Sequence, residues 1–203
     1  MSLARWESFV LNKFRIVPKY PTRTDYHGPY GNLLLYLFPF GGNGDYDVAG
    51  RYEPEPPPSP YFRYEILFKN KPVMLLDIKG PGDLQYNSKR QGAIRHIQQR
   101  VKDLARQYQI VITLFHTTLN FVLAECPLPV LHAVSTFGTR VCFCKVYRDQ
   151  PRAIQPPFVP APEDVMNLTP QQFWDYDVLE KEAETRKRFK SIAREIKGAC
   201  RAL

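Results

Sequence analysis

Near the start of the chain, Leu3, Trp6, Phe9, Val10 and Phe14 recur at three- and four-residue steps, which predicts an amphipathic helix over Ser2 to Phe14. Asn32 to Pro39 predicts a second, short helix stopped by Pro39, because proline lacks an amide to donate. A strand pattern follows. Tyr46 to Tyr52 predicts a first strand, and Tyr61 to Phe68 with Pro72 to Lys79 predicts a hairpin around Lys69, Asn70 and Lys71. The helical period returns over Ser88 to Tyr108, with Ile94, Ile97, Val101 and Leu104 inward and Ser88 as the cap. Ile110 to Cys126 is a continuous, nearly uncharged run whose type periodicity does not decide, and it is too short, and too polar at His116, Thr117, Thr118 and Asn120, for a membrane span. Val130 to Ser135 and Thr139 to Tyr147 predict two more strands around a Phe137-Gly138 turn. Thr169-Pro170 marks a helix start, cap followed by proline. A closing helix from Leu179 to Ala202 turns Ala183, Phe189, Ile192, Ile196 and Cys200 inward and Arg186, Lys187, Arg188, Lys190, Arg194 and Lys197 outward.

Between these elements, Gly41-Gly42-Asn43-Gly44 reads as a turn, and Glu53 to Pro60 as an extended, proline-stiffened connection. A second proline-rich stretch (Pro151, Pro156, Pro157, Pro160, Pro162) is expected to run over the surface. At 203 residues and 44% hydrophobic, the chain suits one domain, with a core in 1–150 and a proline-rich connection and closing helix in 151–203. The N-terminus lacks the apolar segment of a signal peptide, so an intracellular protein, cytoplasmic or nuclear, is expected. Cys126, Cys142, Cys144 and Cys200 form no C-x-x-C pair and read as reduced thiols. A formal net charge of +8 suits a polyanionic partner such as DNA or RNA, and equally plain solubility.

The chemistry concentrates where the third strand ends. In Val73-Met74-Leu75-Leu76-Asp77-Ile78-Lys79-Gly80-Pro81, an acid and a lysine two residues apart share one side of an apolar strand. Buried charge is costly unless paired or metal-bound, so either the strand emerges into solvent with an ion-paired Asp77, or the pair belongs to a site. Hairpin register decides the surroundings. A three-residue loop sets Arg63 opposite Asp77 and brings Tyr61, Arg63 and Glu65 to its face; a two-residue loop turns them away.

The order helix, strand, hairpin ending in Asp-x-Lys, basic helix, further strands is that of the restriction-endonuclease-like PD-(D/E)xK superfamily, and Pro72 to Lys79 resembles its third core strand. Asp25 to Leu34, Asp77 to Pro81, His132 to Phe143, Trp174 to Leu179 and Arg194 to Cys200 look like segments of a large fungal, basidiomycete-type protein family without a settled biochemical role. The resemblance implies an α/β fold with a restriction-endonuclease-like core: a mixed central β-sheet flanked by helices, with a C-terminal helical extension. It also implies a nuclease in which two carboxylates hold Mg²⁺, or Mn²⁺, against the scissile phosphate while the lysine steadies the developing charge. Carried over by position, Asp77 is the second carboxylate and Lys79 the lysine. Where relatives show an Asp-Phe pair this chain has Tyr61-Phe62, so Glu65 or, from the first strand, Asp47 or Asp45 would supply the other carboxylate. His96 takes the helix position where the superfamily often presents a glutamine, either against phosphate or as a plain exposed histidine. Lys89, Arg90, Arg95, Gln98, Gln99, Arg100 and Lys102 line the polar face of that helix, as a solvated surface or as phosphate contacts.

These departures leave a degenerate nuclease open, and the 110–125 run is either an insertion or retained intron sequence. The alternatives are a nucleic-acid-binding module without cleavage, or a protein-interaction module using the proline-rich segments or the last helix. Zinc spacing among His27, His96, His116 and His132, a phosphate loop and a nucleophile elbow are all missing from the sequence.

Overall fold

Six strands pair side by side in the order in which the chain makes them. The computed structural model describes residues 8–40, 46–53, 61–97, 126–147, 150–155 and 171–203. In it β1 (Tyr46–Glu53), β2 (Tyr61–Phe68) and β3 (Lys71–Lys79) are antiparallel, β4 (Val130–Phe137) runs parallel to β3, and β5 (Arg140–Tyr147) and β6 (Gln150–Gln155) are antiparallel again. The short β7 (Tyr176–Asp177) adds to β5. A parallel pair cannot be joined by a tight turn, so the chain leaves β3 through a 3-10 turn (Pro81–Gln85) into a helix, α3, that begins at residue 87 and is described to 97. Helices α1 (Ser8–Arg15), α2 (His27–Leu37) and α4 (Glu182–Cys200) pack on the other side.

This is an α/β arrangement: a mixed sheet flanked by helices, with a helix at the C-terminal end. The period-2 alternation of the strands divides the interior in two. Ile66, Met74, Leu76, Ile78, Val134, Val141 and Phe143 meet α1, α2 and α4, including Phe14, Leu33, Phe189, Ile192 and Ile196. Leu75, Ala133, Phe137, Cys142 and Cys144 meet Ala93, Ile94 and Ile97 of α3, together with Trp174. β3 is apolar on both sides because it lies between these two cores.

The hairpin between β2 and β3 resolves the register in an unexpected way. Its loop has two residues, Lys69 and Asn70, both left-handed with φ of 48° and 63°, the geometry that matches strand twist. Phe68 therefore faces Lys71, not Pro72. One step further the pairing slips: Leu67 faces Pro72 but Ile66 faces Met74, so Val73 is an extra residue in β3. Pro72, which cannot donate to a ladder, sits at this bulge, and Val73 joins the α1–α2–α4 core. Beyond the bulge Arg63 stands opposite Asp77, the outcome expected only from a three-residue loop.

Other elements differ from expectation. α2 starts at His27, five residues before Asn32, because Pro29 occupies the first turn, where no amide partner is needed. Gln150–Gln155 is an edge strand, not a surface connection; Pro151 is tolerated there because an edge strand leaves one row of amides unpaired. Ala183 is exposed, and Thr185 takes the inward position, donating its hydroxyl to the Asp177 carbonyl at 2.7 Å. Trp6, Asp45, Pro54 to Pro60, Gln98 to Glu125 and Pro156 to Pro170 lie outside the described residues, and with them the readings of Val101, Leu104, His116 and Thr169-Pro170. No described helix is long and apolar enough to cross a membrane. All four cysteines are free thiols, with Cys142, Cys144 and Cys200 buried.

Candidate functional site

Asp77 and Lys79 leave the end of β3 on the side covered by α3. Asp77 is 2% exposed, so the strand does not emerge into solvent at this residue. Its Oδ2 stands 3.1 Å from the Lys79 ammonium, close enough for an ion pair but outside hydrogen-bond alignment; among the described residues neither carboxylate oxygen accepts a hydrogen bond. An ionised carboxylate buried without donors is expensive, and stability alone gives no reason to keep it.

Lys79 continues the contact outward. Its Nζ lies 3.2 Å from Nδ1 of His96, which α3 lowers onto it from above. An ammonium has only protons to give, so this contact needs a neutral His96 with its proton on Nε2. His96 is half-buried and faces the site; it is not the exposed histidine that its helical position also allowed.

Glu65 reaches the same face but is already occupied. Its Oε1 accepts from Arg63 Nε at 3.0 Å, and its Oε2 lies 3.4 Å from Arg51 Nε. Arg63 and Glu65 are both buried, whereas the Arg51 side chain is half-exposed at the sheet edge. Among the described side chains of this cluster, Asp77 and Glu65 thus face Lys79, Arg63 and Arg51, which leaves one net positive charge with His96 neutral. On the far side of Asp77, Ser135 is its partner in β4, and the Ser135 hydroxyl accepts from the buried Trp174 indole at 3.4 Å.

The remaining expected members separate. Asp47 is exposed and pairs with Leu67, four residues from Arg63 along β2, or about 13 Å of strand. Lys89 and Arg95 are exposed on α3. Arg90 is buried, and its Nη1 donates to the Leu84 carbonyl at 2.7 Å, so it secures the 3-10 turn before α3 and is withdrawn from the phosphate-facing set. Gln99 and Arg100 lie outside the described residues, as does the side chain of Tyr61. Of the other histidines, His27 stacks on Phe62 at 3.7 Å and burial lowers its pKa. His132 lies across the sheet, where burial depresses its pKa to about 4.

A divalent cation at this site would need oxygen ligands free to turn to it. Asp77 meets that need. Glu65 does not, since both its oxygens are engaged by guanidinium groups, and Asp47 is out of reach. Among the described residues no three His, Cys, Asp or Glu side chains gather as a metal-holding group. Among the described residues the donors therefore do not fit the two-carboxylate Mg²⁺ or Mn²⁺ set. Arg63, Arg51 and Ser135 were the site members least visible in the sequence: the signal for Arg63 and Arg51 was the register, and Ser135 carried none.

No family model, no curated protein and no solved structure matches this chain.

Proposed function

We propose that the chain is a nucleic-acid-binding module on a restriction-endonuclease-like, PD-(D/E)xK-type scaffold, holding a phosphodiester at Lys79 and His96 without cleaving it. The observation that carries this reading is the occupied Glu65: with Arg63 and Arg51 on its oxygens, the described constellation around Asp77-Ile78-Lys79 keeps an excess of positive charge, and none of the described residues supplies a second carboxylate to share a metal. Such a site attracts a phosphate oxygen more than a dication. The strand order supports the scaffold: an antiparallel β1-β2-β3, a helix on the crossover and a parallel β4, with the charged pair closing β3. Lys89 and Arg95 on α3 extend the positive surface beside it.

A second reading, a degenerate but still active Mg²⁺-dependent nuclease, is favoured by the donor-less oxygens of Asp77. One experiment separates the two. The full chain is incubated with labelled single- and double-stranded DNA and RNA in Mg²⁺ or Mn²⁺, followed by gel and by fluorescence anisotropy, beside Lys79→Gln and Asp77→Asn. Binding without cleavage is expected, weakening steeply with salt. Lys79→Gln should flatten the log K against log salt slope by about 0.9 on duplex DNA, and Asp77→Asn should bind as well as the parent or better. Cleavage that disappears in both variants would establish the nuclease instead, and failure to bind at 50 mM salt would remove both readings.

A further inference from the structure

The helix α4 carries a second positively charged feature, across the sheet from Asp77. Lys187, Lys190, Arg194, Lys197 and Arg201 follow one another at steps of three and four residues, so at about 100° per residue all five fall within an arc of roughly 80°. Lys187, Arg194 and Arg201 are exposed, and the row lies opposite the buried Phe189, Ile192 and Ile196. Lys190 and Lys197 lean along α2 and its end, each with its ammonium 5.6 Å from an aromatic ring centroid, Tyr36 and Phe38 respectively.

Of the acids on the helix, Glu184 stands three residues before Lys187 at the start of the row, and the other two turn elsewhere. Glu182 pairs with Arg186 at 3.0 Å, and Glu195 turns to Lys145 at 2.9 Å. Like charges at these spacings destabilise a helix, and the favourable helix dipole reaches only the last turn, where it accounts for Lys197 and Arg201 but not for Lys187, Lys190 or Arg194.

We propose that this row is a docking surface for the phosphate backbone of a nucleic-acid duplex. Its rise of 4.5 or 6 Å between cations and total length of about 21 Å, at about 1.5 Å per residue, match roughly six base-pair steps of duplex. Charge complementarity selects the backbone. The apolar side chains of α4 itself face the core, whereas Leu35, Phe40 and Leu203 are exposed on α2, past its end and at the last residue, so an anionic bilayer is the competing occupant that the vesicle measurement tests. The surface does not rest on the Asp77 site: α4 covers one core and α3 the other.

The test is anisotropy with a labelled 20-base-pair duplex between 50 and 200 mM KCl, on the full chain and on Lys187→Gln/Arg194→Gln/Arg201→Gln. The triple variant should bind at least tenfold more weakly at 100 mM, and its salt slope should fall by about 2.7, or 0.9 per cation removed. Its melting temperature, unchanged or higher, reports intact folding; should it fall, Lys187→Gln alone, with an expected slope change of about 0.9, carries the test. Parent binding with an unchanged slope in the variant overturns the proposal and leaves the Asp77 reading standing. A loss on α4 together with no effect of Lys79→Gln supports the row and removes the other site. Loss of binding to phosphatidylserine vesicles with duplex binding intact would also overturn it, in favour of a membrane surface.

Discussion

Single residues here answer to burial before anything else. Asp77 and Lys79 form an unequal pair, with side chains 3% and 13% exposed. Removing the lysine strands a carboxylate to which no described residue donates, so Lys79→Met should cost about 3 kcal/mol, read from urea unfolding. Adding Asp77→Leu to that variant should restore most of the loss, since a well-packed apolar pair often equals a buried ionic one. His132 makes the complementary point about pH. It is buried beneath α4 with Nδ1 unpartnered among the described residues and Nε2 3.5 Å from Glu195, and burial holds its folded pKa at about 4 against an ordinary 6.5. The unfolded chain takes up this proton first, so stability is complete above pH 6.5 and declines as pH falls towards 4, by on the order of 3 kcal/mol. Urea midpoints measured from pH 7 to 4.5 should show this slope, and His132→Leu should flatten it.

Elements are pinned at their ends more than along their length. Asp177 receives the Thr139 hydroxyl at 2.7 Å and the amides of Leu179 and Glu180 at 2.7 and 2.9 Å, fastening the entry of α4 to the β4–β5 turn. Asp177→Ala should lower stability by about 2–3 kcal/mol, with Thr139→Val accounting for about 1, both measurable by thermal unfolding. In that turn Gly138 has φ of 62°, and a Cβ there would come 2.8 Å from Pro81; its amide also bonds the Lys79 carbonyl at 3.1 Å. Gly138→Ala should therefore destabilise by about 1–2 kcal/mol and loosen the end of β3. The strands β2 to β5, α3 and α4 were legible because their apolar period is sustained. The edge strand β6 was not, since Pro151 speaks against a strand unless its place at the margin is known. Thr185 was passed over for Ala183 because hydropathy does not register a hydroxyl with a buried acceptor. In the candidate site Asp77 and Lys79 were visible as misplaced charges, whereas the arginines that occupy Glu65 depend on strand pairing.

At the scale of the molecule, two apolar cores share one sheet, and the central strands have protection on both faces. Amides of β3 and β4 should exchange slowest and those of β1 and β6 earliest, as hydrogen exchange with mass spectrometry would report; β1 outlasting β3 would contradict the two-core description. The ends of that sheet are joined to its middle by a hairpin whose extra residue, Val73, fixes more than local shape. Were Val73 to enter the ladder opposite Ile66, Arg63 would stand opposite Leu76 and, with Glu65, turn to the α2 side of the sheet, away from Asp77; excising Val73 would instead leave Ile66 opposite Met74 and Arg63 opposite Asp77. The polar constellation thus hangs on a valine that touches none of its charges staying out of the ladder, and a chain one codon shorter there would keep the charged partners while straightening the strand, a tolerance that inspection of the charged positions alone would never reveal.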